Sequence, residues 1–389
     1  MPTPKFAERL SPEFRLTLFY VSLYTTGGVA NTYGGIWFSQ QGLTSGEIGF
    51  INSTPIFIML MLNLLVGRMA DRASDWRLAI VIGTLFAAIL PFGLLFVSGF
   101  WGILLFWSLP VIAQNLVNPV ADAAAMRLTR RRGTDFGFIR AWGTIGYMLT
   151  IMLTGALVQQ FGGMIFLPLF VAMSLLRGAT ALTLPKLRSA NNEDATSGAT
   201  RLVEVMKPWF LFPLVGWSMV FATHLILNGF QGLLWKQQGI SAEVIAVLIA
   251  LGALSEATMF YFFRRIAIRF TARKLILLSA LVAVARWIAM AYSPGVPVLV
   301  GLQMLHSVTF ALGFLGCMNF IANWTSEDIA AEAQGFFTML QQAFAVVAIT
   351  GFGWLAGDFG AKAYLASAAF AATGAVLVYM SIRLQPPKA

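Results

Sequence analysis

A chain of 389 residues that is 58% hydrophobic and 11% charged, with a mean hydropathy of +0.77, is far from the half-apolar, quarter-charged balance of a soluble domain. One cysteine, Cys317, excludes an intramolecular disulfide and a cysteine-built metal site. What remains is an all-α integral membrane protein that crosses the bilayer many times.

Residues Pro2 to Arg15 are short, polar and without the apolar core of a cleavable signal peptide, so the first span is expected to stay in the mature protein. A ~30 Å hydrocarbon core takes about 20 apolar residues per helix. About twelve runs meet that length. In chain order they are Phe14–Ser39, Gly46–Met69, Leu78–Val97, Trp101–Met126, Phe136–Gln159 and Met164–Leu184, then Trp209–Trp235, Ala242–Phe263, Leu275–Tyr292, Val296–Trp324, Gly335–Leu355 and Tyr364–Ile382. Most connections are very short, so neighbouring spans run antiparallel. The exception is 185–208, where the polar stretch Ser189 to Gly198 reads as a flexible linker. The expected organisation is therefore a six-helix half over 1–184, a linker, and a second six-helix half over 209–389.

The basic residues set the orientation. Arg68, Arg72 and Arg77 follow the second span, Arg127 and Arg130 to Arg132 the fourth, and Arg264, Arg265, Arg269, Arg273 and Lys274 the eighth. Lys186, Arg188, Arg201 and Lys207 lie in the linker, while the opposite side holds only Lys236 and Lys362. Such an excess marks the cytoplasmic face, with both termini inside, in a cell inner membrane. The net charge of +10 is thus a topology signal and excludes a nucleic-acid patch.

Between spans 2 and 3 stands Gly67-Arg-Met-Ala-Asp-Arg72, followed by Asp75 and Arg77. Gly67 allows close helix approach, and Asp71 can pair with an arginine or a helix N-terminus. With the six-plus-six plan, this stretch resembles the Gly-x-x-x-Asp-Arg loop signature of the major facilitator superfamily. The resemblance implies a conformational switch at Gly67, Asp71 and Arg72; an ordinary charged turn is the alternative. The matching second-half loop, Arg264 to Arg269, lacks the aspartate.

The segment Phe136-Gly-Phe-Ile-Arg-Ala-Trp-Gly-Thr-Ile-Gly-Tyr147 puts Arg140 about a turn inside an apolar run. Charge within a span usually faces the protein interior or an aqueous cavity and has a partner. Asp122 lies four residues before Met126, and Arg140 four after Phe136, so the two sit at similar depth on antiparallel helices. Tyr147, two turns beyond Arg140, is on its face and can stack on a planar ligand; Trp142 points elsewhere, to lipid or a neighbouring helix. With Gln303-Met-Leu-His-Ser-Val-Thr-Phe310 and Gly316-Cys317, this segment resembles the lactose permease and 3-phenylpropionate transporter group. The resemblance implies that Asp122, Arg140 and Tyr147 line a substrate site. A structural ion pair between spans 4 and 5 is the other reading of Asp122 and Arg140.

The second half has its own polar set inside its spans: Glu256, Arg286 and His306, expected to serve proton coupling, with His224 and Asn228 four apart on one face of span 7 and expected to bind substrate. A desolvated carboxyl has its ionised form disfavoured and can trade protons near neutrality, as histidine does without help. Arg286 and His306 resemble the permease's proton-coupling arginine and histidine, and Glu256 its membrane glutamate, displaced by about one turn. The departures are Thr309 where the permease has a carboxylate, Gln303 where it has a lysine, and a span 7 without aspartate. Glu256 paired structurally with Arg286, and hydrogen-bonded interior histidines, are the alternatives.

These readings converge on a secondary transporter working by alternating access. Arg140, Arg286 and two histidines outnumber Asp122 and Glu256, which favours proton symport of a small carboxylate such as 3-phenylpropionate. A saccharide or nucleoside proton symporter and a drug exporter are the alternatives. No Gly-x-x-x-x-Gly-Lys-Ser/Thr loop or His-Glu-x-x-His motif is present, so an ATP-driven pump or a metalloenzyme is not expected. The chain is expected to need no cofactor or metal and to act as a monomer with small solute, proton and lipid bilayer as partners.

Overall fold

The structure is a computed structural model that describes residues 10–70, 76–187, 206–325 and 327–384; for 63–70 and 327–331 it describes the backbone alone. Asp71 and Arg72 therefore lie outside the described residues, and Gly67 is described only as part of a helix. Every regular element among the described residues is helical, as a bilayer interior demands of a chain that must satisfy its own backbone.

The chain divides into two compact units. The first comprises Met1–Leu43, Thr54–Glu193 and Ser241–Ala246, and the second Thr44–Ser53, Asp194–Ile240 and Val247–Ala389. In chain order the helices are α1 Pro12–Leu23, α2 Thr25–Val29, α3 Gly35–Gln40, α4 Ser45–Ala70, α5 Trp76–Ile89, α6 Gly99–Arg132, α7 Phe136–Phe161 and α8 Phe166–Leu182. There follow α9 Pro208–Gln237, α10 Ala242–Ala267, α11 Ala272–Ala291, α12 Val296–Met304, α13 Gly313–Trp324, α14 Glu327–Phe359 and α15 Tyr364–Arg383. Among the described residues ten stretches are long and apolar enough to cross a membrane, the last of them, Glu332–Arg383, running through both α14 and α15. The first expected span is not one uninterrupted helix: Tyr24 ends α1, and Ala30–Gly34 between α2 and α3 is a π-helix. The tenth is likewise interrupted, by the π-helix Ser307–Leu312 between α12 and α13. Large apolar side chains such as Met164 and Phe96 stand 90% and 85% exposed, as lipid-facing residues do.

Local chemistry explains the helix ends that matter for the site. Ser11 caps α1 by accepting from the Phe14 N–H at 3.2 Å, with Pro12 in the first turn where its missing N–H costs nothing. Thr44 and Glu47 form a reciprocal capping box at the start of α4, with bonds of 2.8 and 3.2 Å. Gly133, at φ +67°, closes α6 in the left-handed region. Asp135 then caps α7 by accepting from the Gly137 N–H at 2.8 Å. Two residues thus reverse the chain and set α6 and α7 antiparallel. The Arg132–Glu13 ion pair ties the end of α6 to the first turn of α1. Slight burial opposes it, but a backbone N–H and Arg132 hold the Glu13 carboxyl below its ordinary value.

Helix α7 packs directly on α1 through small residues. A Cβ on Gly143 would lie 2.7 Å from the Tyr24 ring, and one on Gly146 would strike the Val21 carbonyl oxygen. Backbone cannot swing aside as a side chain can. We expect Gly146→Ala to cost roughly 1–3 kcal/mol, the usual cost of overpacking, and to lower the unfolding temperature in detergent. Gly301→Ala, where an added Cβ meets nothing within 4 Å, is the control; equal unfolding temperatures would disprove the close packing.

In the first unit Phe19, Tyr20, Trp76, Ile80, Ala124 and Ile139 belong to one buried cluster that joins α1, α5, α6 and α7. Arg177 of α8, not singled out in the sequence, is also buried, donating to Thr26 Oγ1 and to the Ala87 carbonyl, both at 2.9 Å. In the second unit α9 and α11 both pack on α15, and α9 also packs on α14.

Candidate functional site

Two separate polar clusters form, one in each unit. In the first, the α6–α7 turn delivers the contact expected from equal depth: Arg140 Nη1 donates to Asp122 Oδ2 at 2.7 Å. The other carboxylate oxygen accepts from Tyr20 Oη at 2.6 Å, and the guanidinium lies 6.0 Å from the Tyr24 ring centroid. Tyr20 and Tyr24 are four apart on α1 and face the same pair. The Arg140 and Asp122 side chains are 46% and 30% exposed. An ion pair so open to solvent contributes little to stability, about 0–1 kcal/mol, while its charges stay within reach of a solute.

Tyr147 is partly buried and accepts from Asn31 Nδ2 at 3.0 Å. Asn31 belongs to the first π-helix, an element found disproportionately at functional sites. One turn before Asp122, Asn118 accepts from Gln114 Nε2 at 2.8 Å. Trp142 is 38% exposed and meets Phe138 edge-on, away from the pair.

The second cluster centres on Arg286 of α11, which is 1% exposed. Its Nη1 lies 3.1 Å from His306 Nδ1 and donates to Thr309 Oγ1 at 2.9 Å; its Nη2 donates to Gln303 Oε1 at 2.9 Å. Gln303 Nε2 continues to Gln231 Oε1 at 3.3 Å. His306 Nε2 faces Glu256 Oε2 at 3.5 Å, and His224 Nε2 faces Thr309 Oγ1 at 2.9 Å. Trp287 Nε1 donates to Thr223 Oγ1 at 2.9 Å, and the Trp287 ring stacks on Tyr364. Glu256, Arg286, His306 and His224 thus come together, with His306 between the arginine and the carboxylate. A buried cation is costly unless its donors are met, and neutral acceptors meet most of them here.

Asn228 does not join this cluster. It shares a helix with His224, but His224 is buried and Asn228 exposed. Sequence reasoning had left out Tyr20, Tyr24, Asn31, Gln231 and Thr309 as site residues. Gln231 lies seven residues after His224 on α9, a spacing that signals a shared face; nothing local signals the others. Among the described residues no group of histidine, cysteine and carboxylate side chains could hold a metal ion.

Known proteins resemble this chain over most of its length. The model of the MFS_1 like family matches residues 14–366. The protein named "Probable 3-phenylpropionic acid transporter" of Escherichia coli (strain K12) is 29% identical over 317 residues, 79% of this chain and 81% of that one. The "Maltose permease" of Geobacillus stearothermophilus is 26% identical over 71% of this chain and 70% of its own length. The crystal structure of the nucleoside transporter NupG superposes with a TM-score of 0.82 at 18% identity, covering 97% of this chain and 100% of that one. The D-xylose-proton symporter superposes with a TM-score of 0.70 at 15% identity, covering 98% of each chain. An all-helical chain with ten membrane-length apolar stretches, a family match over nearly its whole length and relatives that carry solutes lead to one conclusion: it belongs to the MFS_1 like family and is a multi-pass secondary transporter of the major facilitator fold.

Proposed function

We propose that the chain is a proton-coupled symporter of a small organic anion, with an aromatic carboxylate such as 3-phenylpropionate as its solute. It works as a monomer in a bacterial inner membrane with both termini cytoplasmic. The halves 1–184 and 209–389 alternate between two states about the 185–208 linker, with Gly67, Asp71 and Arg72 as the residues that govern switching. The observation that carries this reading is the solvent-accessible Arg140–Asp122 pair, 46% and 30% exposed and backed by Tyr20. A planar guanidinium with donors left over binds a carboxylate bidentately. Tyr147 and the Tyr24 ring supply flat faces for an aryl group. In the second unit Glu256 supplies the proton-carrying group beside Arg286 and His306. The 29% identity to a protein named for 3-phenylpropionic acid supports the same solute.

A saccharide or nucleoside is the second reading. The Asp122–Arg140 pair, with Tyr147 two turns further along α7 and Asn31 donating to it, offers alternating donors and acceptors suited to hydroxyls. The relatives named for maltose and nucleosides support it. The deciding experiment reconstitutes the purified chain in liposomes and measures counterflow of labelled 3-phenylpropionate, maltose and uridine. Saturable, pH-dependent counterflow of the carboxylate alone is the expected result; counterflow confined to maltose or uridine would replace it with the second reading.

A further inference from the structure

Arg177 of α8 is only 4% exposed inside a membrane-length apolar stretch, and the groups it bonds are neutral. A charge in such a place is costly, so its contacts call for a physical reason. Its Nη2 donates to the Ala87 carbonyl at 2.9 Å. Four residues further on stands Pro91, inside the 3-10 segment Leu90–Leu95 that follows α5. In an α-helix the Ala87 carbonyl would accept from the N–H of residue 91, and proline has none. Arg177 supplies the missing donor. Small residues let the two helices come close enough: a Cβ on Gly178 would lie 2.8 Å from that of Ala88.

The other arm of the guanidinium reaches the first span. Arg177 Nη1 donates to Thr26 Oγ1 at 2.9 Å, in the short helix α2 that follows the break at Tyr24. One turn along α8, Thr180 Oγ1 lies 2.5 Å from Ser22 Oγ, just before that break. Helix α8 thus grips the chain before and after Tyr24. Helix α7 closes on the same segment: a Cβ on Gly28 would stand 2.9 Å from the Tyr147 carbonyl oxygen, and one on Gly27 3.9 Å from the Tyr147 ring. The neighbouring residues are those that face the solute pair. Tyr24 lies beside Arg140, and Asn31 donates to Tyr147. A helix break has fewer backbone bonds to hold its angle, so side-chain bonds across it decide where the flanking residues point.

We propose that Arg177 is a positioning residue of the solute site: by bridging Thr26 and the Ala87 carbonyl it fixes the Tyr24 break, and so aims Tyr24 at Arg140 and Asn31 at Tyr147. The proposal rests on the reading of the Arg140–Asp122 pair as the solute site and adds the group that holds its shape. The two arms have different effects. The Ala87 arm meets a carbonyl that proline leaves bare, and its loss weakens the fold. The Thr26 arm sets the break, and its loss lets Tyr24 drift from the guanidinium on which the solute docks. A leucine makes neither contact, and a lysine has a single nitrogen in place of a planar fork that spans acceptors on two helices. The buried charge comes with the only side chain that has this reach and this fork.

Thr26→Val removes the acceptor and keeps the volume. In liposomes it is expected to raise the KM for 3-phenylpropionate exchange about tenfold, the worth of roughly one hydrogen bond, at an unchanged maximal rate; Thr26→Ser is expected to restore it. A 3-fluorotyrosine placed at position 24 of the full chain reads the geometry with no solute present. Its ¹⁹F signal is expected to shift in Thr26→Val and in Arg177→Gln, and to hold its place in Pro91→Ala. Pro91→Ala gives the Ala87 carbonyl an amide partner, so Arg177→Gln is expected to lower the unfolding temperature less in that background than alone. Equal losses in the two backgrounds overturn the Ala87 arm. An unmoved fluorine signal in both Thr26→Val and Arg177→Gln overturns the proposal, and so does a shifted signal with an unchanged KM. If the wild-type chain exchanges maltose or uridine instead, the KM is read with that solute. Exchange of none of the three overturns the solute reading alone, and the fluorine signal then decides the clamp.

Discussion

Replacing Glu256 with glutamine is expected to abolish uphill accumulation of the solute while leaving exchange across the membrane intact. Glutamine keeps the shape and the acceptor that face His306 Nε2, but it has no proton to release. It imitates the loaded form permanently. Exchange needs no net proton movement and survives, whereas accumulation driven by an imposed pH gradient should fall to simple equilibration. Binding should also lose its dependence on pH. Both activities are read in one preparation of vesicles, so a variant that fails to insert loses both and is recognised as such. Accumulation against a gradient by the glutamine variant would move the proton to Asp122, the other carboxylate placed in a polar cluster.

Arg140→Lys is expected to weaken solute binding by about 100-fold, roughly 3 kcal/mol, while the chain still inserts and elutes as a single species. The guanidinium spends Nη1 on Asp122 Oδ2 and has further donors in a planar fork for the ligand. An ammonium is a point charge that cannot hold both partners in that geometry. Because the pair is half open to solvent, the same substitution should shift unfolding by no more than about 1 kcal/mol. That contrast separates a binding pair from a structural one. Near-normal affinity together with a large loss of stability would return Asp122 and Arg140 to the role of an interhelical brace. Asp122→Asn, which keeps one oxygen for Arg140 and can turn its amide N–H to the Tyr20 hydroxyl, should impair transport less if the ligand brings its own carboxylate.

Much of this was legible in the sequence, for reasons that differ from residue to residue. The apolar runs announce themselves because a bilayer tolerates little else, and the Asp122–Arg140 contact follows from equal distances to a short turn closed by Gly133 and Asp135. Arg286, His306 and Glu256 stood out because each is an ionisable residue in an apolar run. Tyr20 did not: its hydroxyl reaches Asp122 across 102 residues of chain, and a tyrosine in an apolar span looks like any other aromatic. The π-helices at Ala30–Gly34 and Ser307–Leu312 left no trace in the 3.6-residue periodicity from which helices are read. Thr309 was noticed only as a missing carboxylate, yet it bridges Arg286 and His224. His224 and Asn228 share a spacing but not an environment, because a four-residue interval fixes a face only to within the breadth of a helix.

Among the described side chains of the second cluster Glu256 is the single carboxyl, set against the single guanidinium of Arg286. If the proposed proton symport holds, one carboxyl loads one proton per cycle, and a monovalent carboxylate travelling with it makes an electroneutral pair. The membrane voltage then does no work on the loaded carrier. Accumulation is expected to depend on the pH difference alone, about tenfold per unit, or ~1.36 kcal/mol of driving force. A cell with a large voltage but little pH difference would gain no concentration gradient of this solute, and valinomycin, which collapses voltage in potassium-loaded vesicles, would leave uptake unchanged where nigericin, which collapses the pH difference, would end it.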